Sequence, residues 1–377
     1  MHHRLALCPA GSGIGEPGSK GNAFRHTRVR LQGARNETSG SSTVFEMGAR
    51  GNALKVCIFG AGAIGGFLGV QLASSGADVS LVARGAHLAA MRAHGVRLLI
   101  DGEERSARLP CTDAPEELGV QDYLIIALKA HSIPDVVESM APLVGSDTTI
   151  VTASNGIPYW YFHVPGVPHF GTTLNSVDPE GRQWDALGSQ PVIGCVVLPA
   201  TEIVAPGVVQ HEHGRRFPIG EPGGSRSPRI DALRDLLVAG GLEAPIRDDI
   251  REEIWLKLCG NVCFNPVSAL TLATLDRIAG EPETRALCRA MMEEARLVGE
   301  RLGVRLRVDL ARRLDGAAAV GAHRMSMLQD LLHERSLEIE PLVGVVQELG
   351  RLTDTPTPTI DVVLALVRQR AAVANLH

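Results

Sequence analysis

The chain has 377 residues, a formal net charge of −5, and 45% hydrophobic, 21% charged and 4% aromatic residues. Wholesale disorder is excluded, the charge offers no general attraction to nucleic acid, and few aromatics are available to stack bases. No run approaches the ~20 apolar residues of a membrane span, and seven scattered cysteines, an odd number, indicate a reducing, cytoplasmic compartment rather than a disulfide framework.

Residues 1–50 are rich in Gly, Ser, Arg and His and carry no apolar run of helical or strand period. They read as a disordered extension. They lack the apolar stretch of a secretory signal, and their Gly and Pro residues argue against an amphipathic transit peptide. Met47, just ahead of the first apolar strand, is an alternative start. From Lys55 the texture changes. A strand at 56–59 leads into a Gly-rich turn and a helix to about residue 75. A second strand follows at 79–83 and a helix at 86–94. Strands at 123–128 and 149–153 flank a helical segment at 133–140. This alternation predicts a parallel sheet with helices on both faces. Short strands at 192–198, 208–211 and 216–220 extend it, and a Gly/Pro/Ser stretch at 221–228 leads to a helix at 230–239. Beyond Asp248 only 3.6-residue periods remain, at 250–264, 285–302, 326–352 and 360–376. The expectation is an α/β chain: a Rossmann-type dinucleotide-binding domain over 53–246, then an all-helical C-terminal domain over 247–373 for substrate binding and catalysis.

The first turn carries the clearest motif. Val56-Cys-Ile-Phe-Gly60-Ala-Gly62-Ala63-Ile64-Gly65 is strand, then G-x-G-x-x-G, then helix. Gly60 allows the tight turn, Gly62 lets the backbone approach a pyrophosphate, and Gly65 permits close helix–strand packing. Free N–H groups and the positive dipole end of the helix favour phosphate. Gly11-Ser-Gly13-Ile-Gly15 looks similar, but no strand precedes it and Pro17 follows. An NAD-selecting chain places Asp or Glu at the end of the second strand to hold the ribose. Here Arg84 stands at that end, and Asp78 precedes the strand. An arginine suits a 2′-phosphate, so the expected cofactor is NADPH. The bland alternative is a solvated surface arginine.

Three further segments place polar side chains in apolar surroundings. Lys129 follows the strand at 123–128, where ligands of open α/β sheets bind. Asn155-Gly156 holds the same position one strand on, although Asn-Gly is also a common turn pair. Lys257, Asn261 and Asn265 recur at i, i+4 and i+8 and share one helix face. One ammonium and two amides on an otherwise apolar helix are costly unless satisfied or turned to a ligand. A structural amide ladder is the competing reading, and Pro266 is expected to kink the helix at Asn265. Cys259 and Cys263, also four apart, read as core. His211-Glu212-His213 could bind metal but sits in a polar, hairpin-like stretch and reads as surface, and no metal site is assigned.

As a set, these motifs resemble the ketopantoate reductase family over about residues 55–372. They are the early G-x-G-x-x-G, the strand-end lysine, the Asn-Gly turn, Lys-x3-Asn-x3-Asn-Pro, and Ser326-Met-Leu-Gln-Asp330 followed by Glu338. The resemblance implies NADPH-dependent reduction of a small-molecule 2-keto acid to a 2-hydroxy acid on the route to pantothenate and coenzyme A. It implies cofactor binding by Gly60, Gly62, Gly65, Arg84 and Lys129, with Ala63 and Ile64 in the same loop. It makes Asn155 a contact of both cofactor and substrate, and Lys257 the general acid; Glu338 is the second catalytic candidate, able to hold the lysine ammonium or to accept from a substrate hydroxyl. Asn261, Asn265, Ser326 and Glu338 match substrate-contacting positions. Ser154 departs from the glutamine the family often has before Asn-Gly, which leaves the substrate fit open. Ser326-x-x-Gln329 also has the form of a capping box that opens a helix. A related reductase acting on another branched keto acid or a β-hydroxyacid is one alternative. A dinucleotide-sensing module without catalysis is another, but a sensor has no need of Lys257 and its amide face. No nucleic acid or membrane is expected as a partner, and the helical region is large enough to support a homodimer.

Overall fold

The computed structural model describes residues 43–45 and 53–376, except 189, 307 and 308. The extension over 1–50, apart from 43–45, and the alternative start at Met47 lie outside the described residues. In chain order the elements begin with β1 (Thr43–Phe45), β2 (Lys55–Phe59), α1 (Ala63–Leu72), β3 (Asp78–Val82) and α2 (Gly85–His94). Next come β4 (Val96–Ile100), β5 (Glu103–Ala107), β6 (Cys111–Thr112), β7 (Tyr123–Ile126), β8 (Thr149–Thr152) and α3 (Arg182–Leu187). Then follow β9 (Val192–Cys195), β10 (Ala200–Ala205), β11 (Val208–His213), β12 (Ile219–Gly220) and α4 (Pro228–Ala239). The remainder is helical: α5 (Ile250–Thr271), α6 (Leu275–Gly280), α7 (Pro282–Arg301), α8 (Leu310–Ala319), α9 (Ser326–Leu332), α10 (Val345–Leu352) and α11 (Pro358–Ala374).

The main sheet runs β12-β9-β8-β7-β2-β3-β6, parallel throughout except for β12 on β9. The order reverses between β2 and β7, which makes that edge the topological switch point of a doubly wound sheet. Both sheet faces are buried, as parallel sheets require. Val56 and Ile58 pack into one core with α1 and α4, while Cys57 and Phe59 pack into the other, which continues into the helical region.

The sequence expectations differ from the structure in several places. A second sheet, β1-β5-β4-β11-β10, covers α1, and the strand expected at 208–211 belongs to it rather than extending the parallel sheet. Its β4–β5 hairpin turns at Asp101-Gly102, both at positive φ (54° and 78°), as a two-residue hairpin turn demands. The helical segment near 133–140 is a 3₁₀ stretch, Val137–Leu143, with Pro142 inside it. The helix expected over 326–352 is two helices. It breaks after Leu332, with Glu334 at φ 54°, and resumes through a π turn at Glu340–Gly344. Pro266 does not end α5, which continues to Thr271. Its missing N–H is tolerated because α5 is buried on nearly every side by tertiary packing.

That packing fixes where α5 points its polar face. Asp249 caps the helix by accepting from the Glu252 N–H at 3.0 Å. Trp255 is fully buried and donates from Nε1 to the Ala295 carbonyl of α7 at 3.1 Å. A Cβ added at Gly299 would lie 2.3 Å from that nitrogen, so only glycine lets α7 come this close. No helix among the described residues is long and apolar enough to cross a membrane.

Candidate active site

A cleft of about 1030 Å³ opens at the carboxyl ends of β2, β3, β7 and β8. Its floor is the turn after β2. Gly60 is held at φ 101°, where a Cβ would strike the Leu128 side chain at 2.6 Å. A Cβ on Gly65 would lie 2.1 Å from the Gly60 carbonyl. Gly62, by contrast, faces no protein atom within 4 Å, and with Ala63 and Ile64 it lines the cleft where α1 begins. Bare backbone at a helix N-terminus is suited to a pyrophosphate. Arg84 stands exposed on the wall just past β3, with no side-chain bond among the described residues. Asp113, which also lines the cleft, is paired with Arg92 at 3.2 Å. These residues fit a dinucleotide that carries an additional ribose phosphate.

At the far end of the cleft the sheet meets the helical region. Gly156 (φ 85°) makes this possible: a Cβ there would lie 2.5 Å from the Pro341 carbonyl. The turn therefore presses Asn155 against the segment that carries Glu338. Asn155 Oδ1 accepts from Lys257 Nζ at 2.6 Å, and its Nδ2 donates to Glu338 Oε2 at 3.1 Å. An ammonium only donates and a carboxylate only accepts, so these two partners determine the amide orientation. Glu338 is buried, and its Oε1 accepts from the Ala130 N–H at 2.9 Å. Lys257 also donates to the Val197 carbonyl. Burial lowers the Lys257 pKa from 10.5 to about 8, opposed by the attraction of Glu338.

The other residues singled out from sequence are distributed differently. Lys129 lines the cleft but is tied to Asp330 Oδ1 at 2.6 Å and to the Ser336 carbonyl at 3.3 Å. Asn265 is buried, and its Oδ1 accepts from Ser326 Oγ at 3.3 Å and from the Met327 N–H at 3.4 Å. It thereby satisfies the N-terminus of α9. The capping box read from Ser326-x-x-Gln329 is not formed. Met325 is the cap residue, Ser326 is already helical, and Gln329 donates back to the Arg324 carbonyl at 3.2 Å. Asn155, Glu338 and Ser326 line the cleft, whereas Lys257, Asn261 and Asn265 do not; Lys257 reaches it through Asn155 and the Val197 carbonyl, which do. Cys259 and Cys263 are buried in the core. Sequence reasoning gave no role to Asp330 or to the Val197 carbonyl. Asp330 had a signal, since it closes the Ser-Met-x-Gln-Asp motif, but a backbone carbonyl has none.

Family models described as Ketopantoate reductase PanE/ApbA and Ketopantoate reductase PanE/ApbA C terminal match residues 56–159 and 249–371. A curated relative, 2-dehydropantoate 2-reductase of Mesorhizobium japonicum, is 56% identical over 319 residues, covering 84% of this chain and 98% of its own. A solved structure from Ralstonia solanacearum is similar at 40% identity and TM-score 0.82, covering 86% of this chain and all of the other. D-mandelate dehydrogenase, solved with NADH and anilino(oxo)acetate, shares the fold at 22% identity and TM-score 0.74, with 86% of this chain and all of that chain covered.

Proposed function

The chain belongs to the ketopantoate reductase family, and we propose that it reduces 2-dehydropantoate to pantoate with NADPH, a 2-keto acid to 2-hydroxy acid conversion on the route to pantothenate and coenzyme A. The observation that carries this reading is the Lys257–Asn155–Glu338 chain of hydrogen bonds, set at the carboxyl ends of the parallel strands beside a glycine-lined cleft. In this reading residues 53–246 hold the cofactor and residues 247–373 supply the acid and the substrate contacts.

NADPH, when bound, supplies the hydride. The chain's own residues do the rest. Gly60, Gly62, Ala63 and Ile64 seat the pyrophosphate, Gly65 shapes that seat by letting α1 pack against the Gly60 carbonyl, and Arg84 takes the 2′-phosphate. Lys257 holds at Nζ the proton that the new hydroxyl oxygen takes, and its positive charge stabilises that oxygen as charge develops there. Asn155 keeps the ammonium pointed by accepting from it, and Glu338 keeps Asn155 from rotating. Lys129, locked to Asp330, borders the cofactor rather than swinging freely. Ser326 offers its hydroxyl to the substrate from the cleft wall. Asn265 acts by seating α9 and so Ser326, and Asn261, which lies off the cleft lining, is given no contact with the substrate.

The test is NADPH oxidation across a panel of 2-keto acids. The highest kcat/KM is expected with 2-dehydropantoate. Another branched keto acid preferred tenfold or more would overturn the substrate assignment, and no turnover at all would overturn the catalytic one. A cytoplasmic location accords with the thiols, all free among the described residues. A homodimer accords with Val362, Leu366 and Val373, exposed at near-whole-turn spacing on α11. Light scattering reads the oligomeric state directly.

A further inference from the structure

Three side chains with metal-binding donors converge outside the cleft. Glu212 and His213 end β11, and His323 stands in the loop between α8 and α9. Neighbouring residues in a strand ordinarily point to opposite faces. Here the β10–β11 ladder is irregular. Ala200 pairs with His213 and Thr201 with His211, so Glu212 is an extra residue on its strand. Such a bulge bends the strand and re-aims its side chains, which lets consecutive residues reach one point. One donor atom from each of Glu212, His213 and His323 lies within 4.8 Å of the others. Glu212 Oε2 stands 3.5 Å from His323 Nδ1, and the His213 and His323 rings are 5.1 Å apart, nearly perpendicular at 79°. His211 takes no part. It is buried, stacks on Phe67 at 5.1 Å, and places Nε2 2.6 Å from the Gly214 carbonyl.

We propose that Glu212, His213 and His323 bind a divalent transition-metal ion of the zinc class, joining the β10–β11 hairpin to the loop that leads into α9. Two imidazoles and one carboxylate suit zinc and its neighbours, whereas magnesium and calcium favour all-oxygen sites. Tetrahedral bonds of about 2.0–2.1 Å set donor atoms about 3.3 Å apart; the Glu212–His323 pair already stands at 3.5 Å, and small side-chain rotations bring the third donor in from within 4.8 Å. The hairpin also meets the helical region through Glu202 Oε1 and His333 Nε2 at 2.6 Å, and Thr201, Glu202 and Ser326 line the cleft. The ion thus braces one wall of the cofactor cleft from outside.

The experiment titrates the full chain with zinc chloride by isothermal calorimetry in chelator-free buffer, beside His323→Ala, His213→Ala and Glu212→Gln. Histidines elsewhere in the chain contribute equally to all four proteins, so the differences isolate this site. The wild type is expected to show one tighter site that weakens at least tenfold in both histidine variants and less in Glu212→Gln. His213→Ala removes an exposed side chain, so its loss of binding is not a loss of fold. Cobalt(II) should give the intense visible bands of a tetrahedral centre in the wild type and not in His323→Ala. Equal zinc isotherms for wild type and both histidine variants, or a magnesium isotherm matching that of zinc, would overturn the proposal.

Discussion

Lys257 is best examined through the pH dependence of keto acid reduction. Burial removes water from its ammonium and lowers the pKa to about 8, even though Glu338 pulls the other way. The protonated form is the one that delivers the proton, so activity is full below this pKa and lost above it. With a value of about 8, about nine-tenths of the enzyme is protonated at pH 7 and about one-tenth at pH 9. The expected kcat/KM is level below about pH 7, drops about tenfold by pH 9, and falls about tenfold for each further unit. An unshifted lysine would remain more than about nine-tenths protonated at pH 9 and show almost no fall. The assay is steady-state NADPH consumption at saturating cofactor from pH 6 to 10. Lys257→Ala should lower kcat by about 10²–10⁴ while NADPH affinity is nearly unchanged. Lys257→Arg keeps a cation that does not give up its proton, so its small residual rate should lose the alkaline limb. A wild-type profile flat to pH 9.5, or near-normal turnover by folded Lys257→Ala, would refute the assignment.

Arg84→Asp should weaken NADPH binding far more than NADH binding in a fluorescence titration, and equal losses for both would remove Arg84 from cofactor selection. Glu338→Gln deletes the charge that opposes the effect of burial on Lys257, so the alkaline limb should move to lower pH; a limb that stays in place would show that the two groups do not communicate. Gly299→Ala forces a methyl against Trp255 Nε1 and should cost about 1–3 kcal/mol, read as a lowered Tm, and an unchanged Tm would mean that α5 and α7 separate freely.

Much of the fold was legible because the relevant signals are local. The βαβ unit with G-x-G-x-x-G spans about 30 residues, and the two glycines that shape the turn act within it: Gly60 by its φ of 101°, Gly65 by its approach to the Gly60 carbonyl. Lys257 was found from the helical period alone, since one polar stripe on a buried helix is visible without any partner. Asp101-Gly102 is an equally local hairpin signal, and it marks the β4–β5 turn of the second sheet.

The site itself was decided by tertiary structure. Lys257 and Asn155 meet across 102 residues, and Asn155 and Glu338 across 183. Asn261 and Asn265 look alike on the helix, yet only Asn265 is taken up by α9, because α9 happens to begin beside it. Lys129 reads as a free strand-end cation until Asp330 arrives from the far side of the cleft. The reason is the range of the forces. Backbone conformation and amphipathic period are set by neighbours within about a turn, whereas a hydrogen bond between distant segments leaves no period in the sequence and exists only once both cores have packed.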